Sequence, residues 1–278
     1  MSIRIVADST CDLPASLAKK YGIAVIPTCI NIGDRTYLDG IDMTREQFYE
    51  GLPNFPSSAQ TSAPGPDAFR RTYEELAGEG ASEIISIHPP ARLSNLFNVA
   101  QLAAEAVQKV KIIPLDLGQV TLGSGLLAVM AARAVKAGES LDAIVNMLID
   151  RASRTYTFAA LETMEFLKRS GRIPSLVATI GSLLHIKPVV TLAKGNITID
   201  KVRTSRSATE RLVHLVRNLG PLEELAIVHA HALKRAEGLL ELLDGLLPKD
   251  RQTLLVEATP ILGTHVGLGA VGAVAIAK

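Results

Sequence analysis

Through the first half of the chain, short aliphatic runs alternate with longer segments in which apolar residues recur every three or four positions. The runs Ile3 to Ala7, Ile84 to Ile87 and Lys111 to Leu115 predict strands. Helices are expected near Ala15 to Tyr21, Thr44 to Leu52, Asp67 to Gly78, Ser94 to Lys109, Gly123 to Ala137 and Leu141 to Arg154. Thr44 stands three residues ahead of Gln47, a capping-box spacing. Ala24 to Pro27 and Cys29 to Tyr37 read as extended, with turn residues at Asn31-Ile-Gly-Asp34. Pro53 to Pro66, rich in Pro and Ser, predicts an irregular loop. Strands separated by helices predict a parallel sheet between two helical layers.

The pattern changes near Ser153, which divides the chain into 1–153 and 154–278. Tyr156 to Leu161, Leu225 to His229, Leu254 to Glu257 and Ala273 to Ala277 predict strands. Ile186 to Leu192 and Asn196 to Val202 predict a hairpin around Lys194-Gly195. Helices are expected at Glu162 to Arg169, Ser175 to Leu184, Ser205 to Asn218 and Lys234 to Leu246. The expected architecture is therefore α/β in two domains, a three-layer α/β/α domain with a parallel sheet followed by a smaller domain with a mixed sheet.

Composition narrows the function. Of the 278 residues 47% are hydrophobic but only 4% aromatic, with no Trp, so cores must be filled by aliphatic side chains. A formal net charge of +1 gives no basic excess for nucleic acid. Cys11 and Cys29 lack metal-ligand spacing and are expected as free thiols. The N-terminus has no signal-peptide pattern, and the apolar stretch Leu126 to Val135 is too short to span a bilayer. These features predict a cytoplasmic protein with at most transient membrane contact.

Three places could carry chemistry. Ser94 follows a strand and opens a helix, where free backbone N–H groups and the dipole suit an anion, although a serine there also serves as a plain cap. Thr61-Ser62 lies in the long Pro53 to Pro66 loop, a position that is either functional or merely solvated. His265, within Gly263-Thr-His265-Val-Gly267, could face a ligand where glycines let the backbone approach. Gly267-Leu-Gly269-Ala-Val-Gly272 fits a dinucleotide fingerprint, but the chain stops at Lys278 without the helix and acidic residue that motif requires. His229-Ala-His231 has no third metal ligand at suitable spacing. No nucleophile elbow, Walker loop or H-E-x-x-H motif is present, so no catalytic residue, metal or cofactor is expected.

Seven segments in order, covering essentially the whole chain, resemble the DegV family. They are Val6-Ala-Asp8-Ser9-Thr10, Gln60-Thr61-Ser62-Ala-Pro64, Ile87 to Ser94, Leu161 to Ile173, Gly181 to Pro188, Lys201-Val-Arg203-Thr204 and Gly263 to Gly267. The resemblance implies a protein similar to the binding subunit of bacterial fatty acid kinase, with a long-chain fatty acid buried between two α/β domains. It implies that Thr61, Ser94 and His265 hold the carboxylate and that a separate kinase catalytic subunit phosphorylates it for phospholipid metabolism. Arg172 and Arg203 would then lie where the phosphate or that partner is handled. The chain departs from the family at Pro89-Pro90, at Asn95, where glycine is usual, and at Asp116-Leu-Gly-Gln119, where serines are usual. Two alternatives stay open: a small-carbonyl (dihydroxyacetone-like) binding subunit with His265 on the carbonyl, or a lipid-sensing regulatory protein. A long apolar tunnel would favour lipid and a short polar pocket a triose.

Overall fold

The computed structural model describes residues 2–173, 186–247 and 253–278, and the helix expected over Ser175 to Leu184 lies outside them. Four strands, β1 (Ile3–Asp8), β2 (Ile23–Ile26), β6 (Glu83–His88) and β7 (Lys111–Asp116), form a parallel sheet in the order β2-β1-β6-β7. Alternation along β1 sends Ile3, Ile5 and Ala7 to one face and Val6 to the other. The first face is covered by α1 (Ala15–Tyr21), α5 (Leu122–Lys136) and α6 (Leu141–Ser153). The second is covered by α3 (Pro66–Gly78) and α4 (Leu96–Ala106). This is the expected three-layer arrangement.

A six-stranded mixed sheet follows, in the order β10-β9-β8-β13-β11-β12. Its strands are β8 (Thr155–Ala160), β9 (Lys187–Ala193), β10 (Asn196–Val202), β11 (Leu222–His229), β12 (Leu254–Glu257) and β13 (Val271–Ala277). Only β11 and β12 pair in parallel; the other neighbours are antiparallel. Helices α8 (Ser205–Arg217) and α9 (Leu233–Leu242) pack on its outer face. On the inner side, Ala226, Val228, Val256, Val274 and Ile276 join the same core as α5. Every residue from Leu122 to Ala132 is buried, because this part of α5 is sandwiched between the two sheets, and only its last turn reaches solvent at Arg133 and Lys136.

A third sheet was not anticipated. The hairpin β3 (Cys29–Ile32) and β4 (Arg35–Leu38) is extended by β5 (Gln60–Ser62), antiparallel in the order β4-β3-β5. The stretch expected to be irregular therefore contains a strand, and Thr61 pairs with Ile30 rather than lying in a free loop. The same lobe carries α2 (Arg45–Gly51), started by the capping box of Thr44 and Gln47. Two short helices complete the frame, α7 (Glu165–Ser170) and α10 (Pro260–Val266). His265 thus sits in the last turn of a helix.

Candidate functional site

The parallel sheet, the three-stranded lobe and the inner face of the mixed sheet enclose a cavity of ≈ 600 Å³. Its wall is mainly aliphatic, including Leu96, Val99, Leu161, Val190, Ile261 and Val274. That volume falls in the ~300–1,000 Å³ span of sites for small organic ligands. Thr61, Ser94, Arg172 and His265 all line it, although they come from four separate stretches of chain.

Thr61 is presented by β5, and its Oγ1 lies 3.0 Å from Nε2 of His265 on α10. Burial pushes the His265 pKa down to about 4, and the Arg172 guanidinium adds to the shift, so the ring is neutral at pH 7. Nδ1 is buried and has no hydrogen-bond partner among the described residues. An orphaned buried N–H is costlier to maintain than an orphaned lone pair, which assigns the proton to Nε2. Nε2–H then donates to Thr61 Oγ1, and Arg172 donates to the same oxygen at 3.5 Å. A hydroxyl has two acceptor lone pairs and one proton. With both lone pairs engaged, the Thr61 proton is left to donate to a ligand in the cavity.

Ser94 reaches the site by a different device. Leu93 N and Ser94 N both donate to Pro90 O, at 2.8 and 3.0 Å, folding the segment after β6 into a turn. Ser94 Oγ accepts from Leu96 N at 3.4 Å, a local turn bond just ahead of α4, and its hydroxyl proton has no acceptor among the described residues. Asp116 braces this turn, with Oδ2 accepting from Ala91 N at 3.0 Å and Oδ1 from Gly118 N at 2.9 Å. Pro90 and Asp116 thus build the turn that carries Ser94. Asn95 is exposed and faces the cavity; it is the N-cap residue of α4 but gives no side-chain cap.

Arg172 follows α7, is exposed, and also donates through Nε to Leu93 O at 3.3 Å. It therefore bridges the C-terminal half to both Thr61 and the Ser94 turn. Arg203 lies just beyond β10, is exposed, and is not among the described residues lining the cavity.

The glycines around His265 do a different job from the one expected. A Cβ on Gly263 would lie 2.7 Å from Tyr49 Oη and 2.9 Å from Phe48 Cε1, so this glycine lets α10 pack against α2. Gly267, at φ +74°, ends α10 against the ring of Phe166. The fingerprint-like stretch from Gly267 to Gly272 runs from α10 into β13 instead of into a helix. His229 Nδ1 accepts from Ala232 N at 3.2 Å, and His231 stacks on Tyr49 with its Nδ1 3.4 Å from Glu257 Oε1. Among the described residues no group of three or more His, Cys, Asp or Glu is placed to hold a metal ion. Cys11 and Cys29 are free thiols. Among the described residues no helix is long and apolar enough to cross a membrane.

Comparison with known proteins places this geometry in a family. The family model described as "Uncharacterised protein, DegV family" matches residues 2–278. A DegV domain-containing protein of Streptomyces coelicolor is 33% identical over 276 residues, covering 98% of this chain and 97% of its own length. Among solved structures, DegV from Bacillus subtilis, described as a fatty acid binding protein, superposes with a TM-score of 0.90 at 28% identity and complete coverage of both chains. A DegV family protein from Thermus thermophilus, described by its fatty acid binding, gives a TM-score of 0.88 at 29% identity, again with complete coverage of both. With its fold, its ordered motifs and its whole length matched, this chain belongs to the DegV family.

Proposed function

We propose that this protein binds a long-chain fatty acid between its two halves and presents the carboxylate to a separate kinase subunit. The observation that carries the reading is the Thr61–His265 bond on the wall of a large aliphatic cavity. It leaves the Thr61 hydroxyl as a donor on a wall that Ser94 also lines. Relatives of known structure described as fatty acid binding support the same occupant. Burial of acyl methylenes contributes about 0.8 kcal/mol each, roughly 12 kcal/mol for about fifteen of them before association and ordering costs are subtracted. A three-carbon carbonyl compound would leave most of a ≈ 600 Å³ aliphatic space unfilled, which disfavours the triose reading.

The carboxylate must be hydrogen-bonded if it is to stay charged out of water. Two hydroxyls do this while Arg172, engaged with Thr61 Oγ1 and Leu93 O, supplies positive charge without clamping the carboxylate oxygens. Those oxygens remain nucleophilic toward a phosphoryl donor brought by the partner, and the exposed Arg203 is available to that encounter. No group of this chain takes part in the covalent step.

Titration with palmitate tests the site. Ser94→Ala removes one charge-assisted hydrogen bond, worth about 1.5–3 kcal/mol, so affinity is expected to fall by roughly ten- to a hundredfold. Equal affinities for variant and parent would remove Ser94 from the carboxylate site. With a kinase subunit and ATP, Arg203→Ala is expected to leave palmitate affinity intact and slow acyl-phosphate formation; equal rates would remove Arg203 from the encounter.

A further inference from the structure

A buried polar chain lies at the ends of β1 and β6, just ahead of segments that line the cavity. His88 and Asp8 are 0% and 1% exposed, and His88 Nδ1 is 2.7 Å from Asp8 Oδ2. His88 Nε2 is 2.7 Å from Ser86 Oγ, which accepts from Tyr73 Oη at 2.9 Å. Asp8 Oδ1 accepts from Thr10 N at 3.0 Å and Thr10 Oγ1 at 2.5 Å. One direction of donation satisfies every group: Tyr73 to Ser86, Ser86 to His88 Nε2, and Nδ1–H to Asp8.

The order serine, histidine, carboxylate matches that of a hydrolytic triad, but access rules hydrolysis out. Ser86 is fully buried, and Asp8, Ser86 and His88 are absent from the described residues that line the cavity. The sheet does not need the tie either, since β1 and β6 are already paired through their backbones. The location is more informative. Asp8 is the last residue of β1, and the chain continues at once to Thr10 and Asp12 on the cavity wall. His88 is the last residue of β6, and the chain continues to Pro89, Leu93 and Ser94 on the same wall.

We infer that the Asp8–His88 pair is a positioning device for the Ser94 turn, fixing the angle at which that segment leaves the sheet. The inference rests on the fatty-acid reading and adds residues that do not touch the ligand. Loss of the tie moves the Ser94 hydroxyl, so it weakens recognition of the carboxylate while leaving the acyl tunnel intact.

The test compares palmitate with methyl palmitate, which has the same chain and no carboxylate. His88→Leu is expected to weaken palmitate at least tenfold while changing methyl palmitate less than threefold. His88→Asn, which keeps an N–H donor toward Asp8, is expected to recover most of the loss. Tyr73→Phe removes a hydrogen bond from the far end of the network and is expected to keep the parent's acid-to-ester ratio. If His88→Leu fails to fold, Asp8→Ala, which leaves no group to pair with His88, carries the same comparison. A His88→Leu or Asp8→Ala protein with the parent's acid-to-ester ratio overturns the inference. A parent that binds neither ligand overturns the fatty-acid reading itself, and the inference falls with it.

Discussion

His265 and Asp39 are both displaced from their ordinary pKa values by burial, with opposite consequences for stability. His265 is pushed down from 6.5 to about 4. Between those values the unfolded chain takes up a proton that the folded protein refuses, so its contribution is full above pH 6.5 and lost on acidification. Asp39, with Oδ2 buried and unpartnered among the described residues, is pushed up from 3.8 to about 6, with Asp12 adding to the effect of burial. Its contribution is full below pH 3.8 and lost as pH rises through 6. Each group supplies a slope of up to about 1.4 kcal/mol per pH unit, and in the parent the two oppose one another. Urea unfolding from pH 4 to 6.5 should therefore separate them. Relative to the parent, the stability of Asp39→Asn is expected to rise with pH and that of His265→Gln to fall. The gain of Asp39→Asn over the parent is expected to be larger at pH 7 than at pH 4, because the parent's buried carboxylate is charged only at the higher pH. Three parallel curves would contradict both assignments. The sequence named Thr61, Ser94 and His265 through ordered motifs, but nothing in it showed that Thr61 and His265 touch, 204 residues apart.

At the scale of elements, the positions of short segments matter most. β5 is three residues long and exists through its pairing with β3, about thirty residues away, a contact that local pattern cannot reveal. The helix α10 is not legible in the sequence, where Gly263 and Gly267 suggest backbone approach to a ligand, whereas Gly263 serves close packing against Phe48 and Tyr49. The long helices α3, α5 and α6 were legible because each carries a strong run of helix-forming or periodic residues. Two glycines give a contrasting test. Gly263→Ala is expected to destabilise by about 1–3 kcal/mol and weaken palmitate, since α10 must move and takes His265 with it. Gly238 in α9 has open space where its Cβ would go, so Gly238→Ala is expected to stabilise by up to about 1 kcal/mol without affecting binding. A Gly263→Ala protein with the parent's stability and palmitate affinity would show that α10 tolerates the added methyl.

For the whole molecule, α5 links the two halves into one core, while the cavity lies between their facing surfaces. Further ties cross between the halves. Arg172 reaches Leu93 and Thr61, Gly195 N donates to Gly118 O at 3.1 Å, and Thr259 N donates to buried Asp12 at 2.7 Å. A ligand filling the cavity buries its chain against both halves at once and should stabilise them together, by about 2.7 kcal/mol at a hundredfold excess over Kd. The most direct measurement is made on protein purified without added lipid: denature it and identify the released small molecules by mass spectrometry. The account predicts a long-chain fatty acid at close to one per chain. No fatty acid, both as purified and after incubation with a panel of saturated and unsaturated acids, would contradict it.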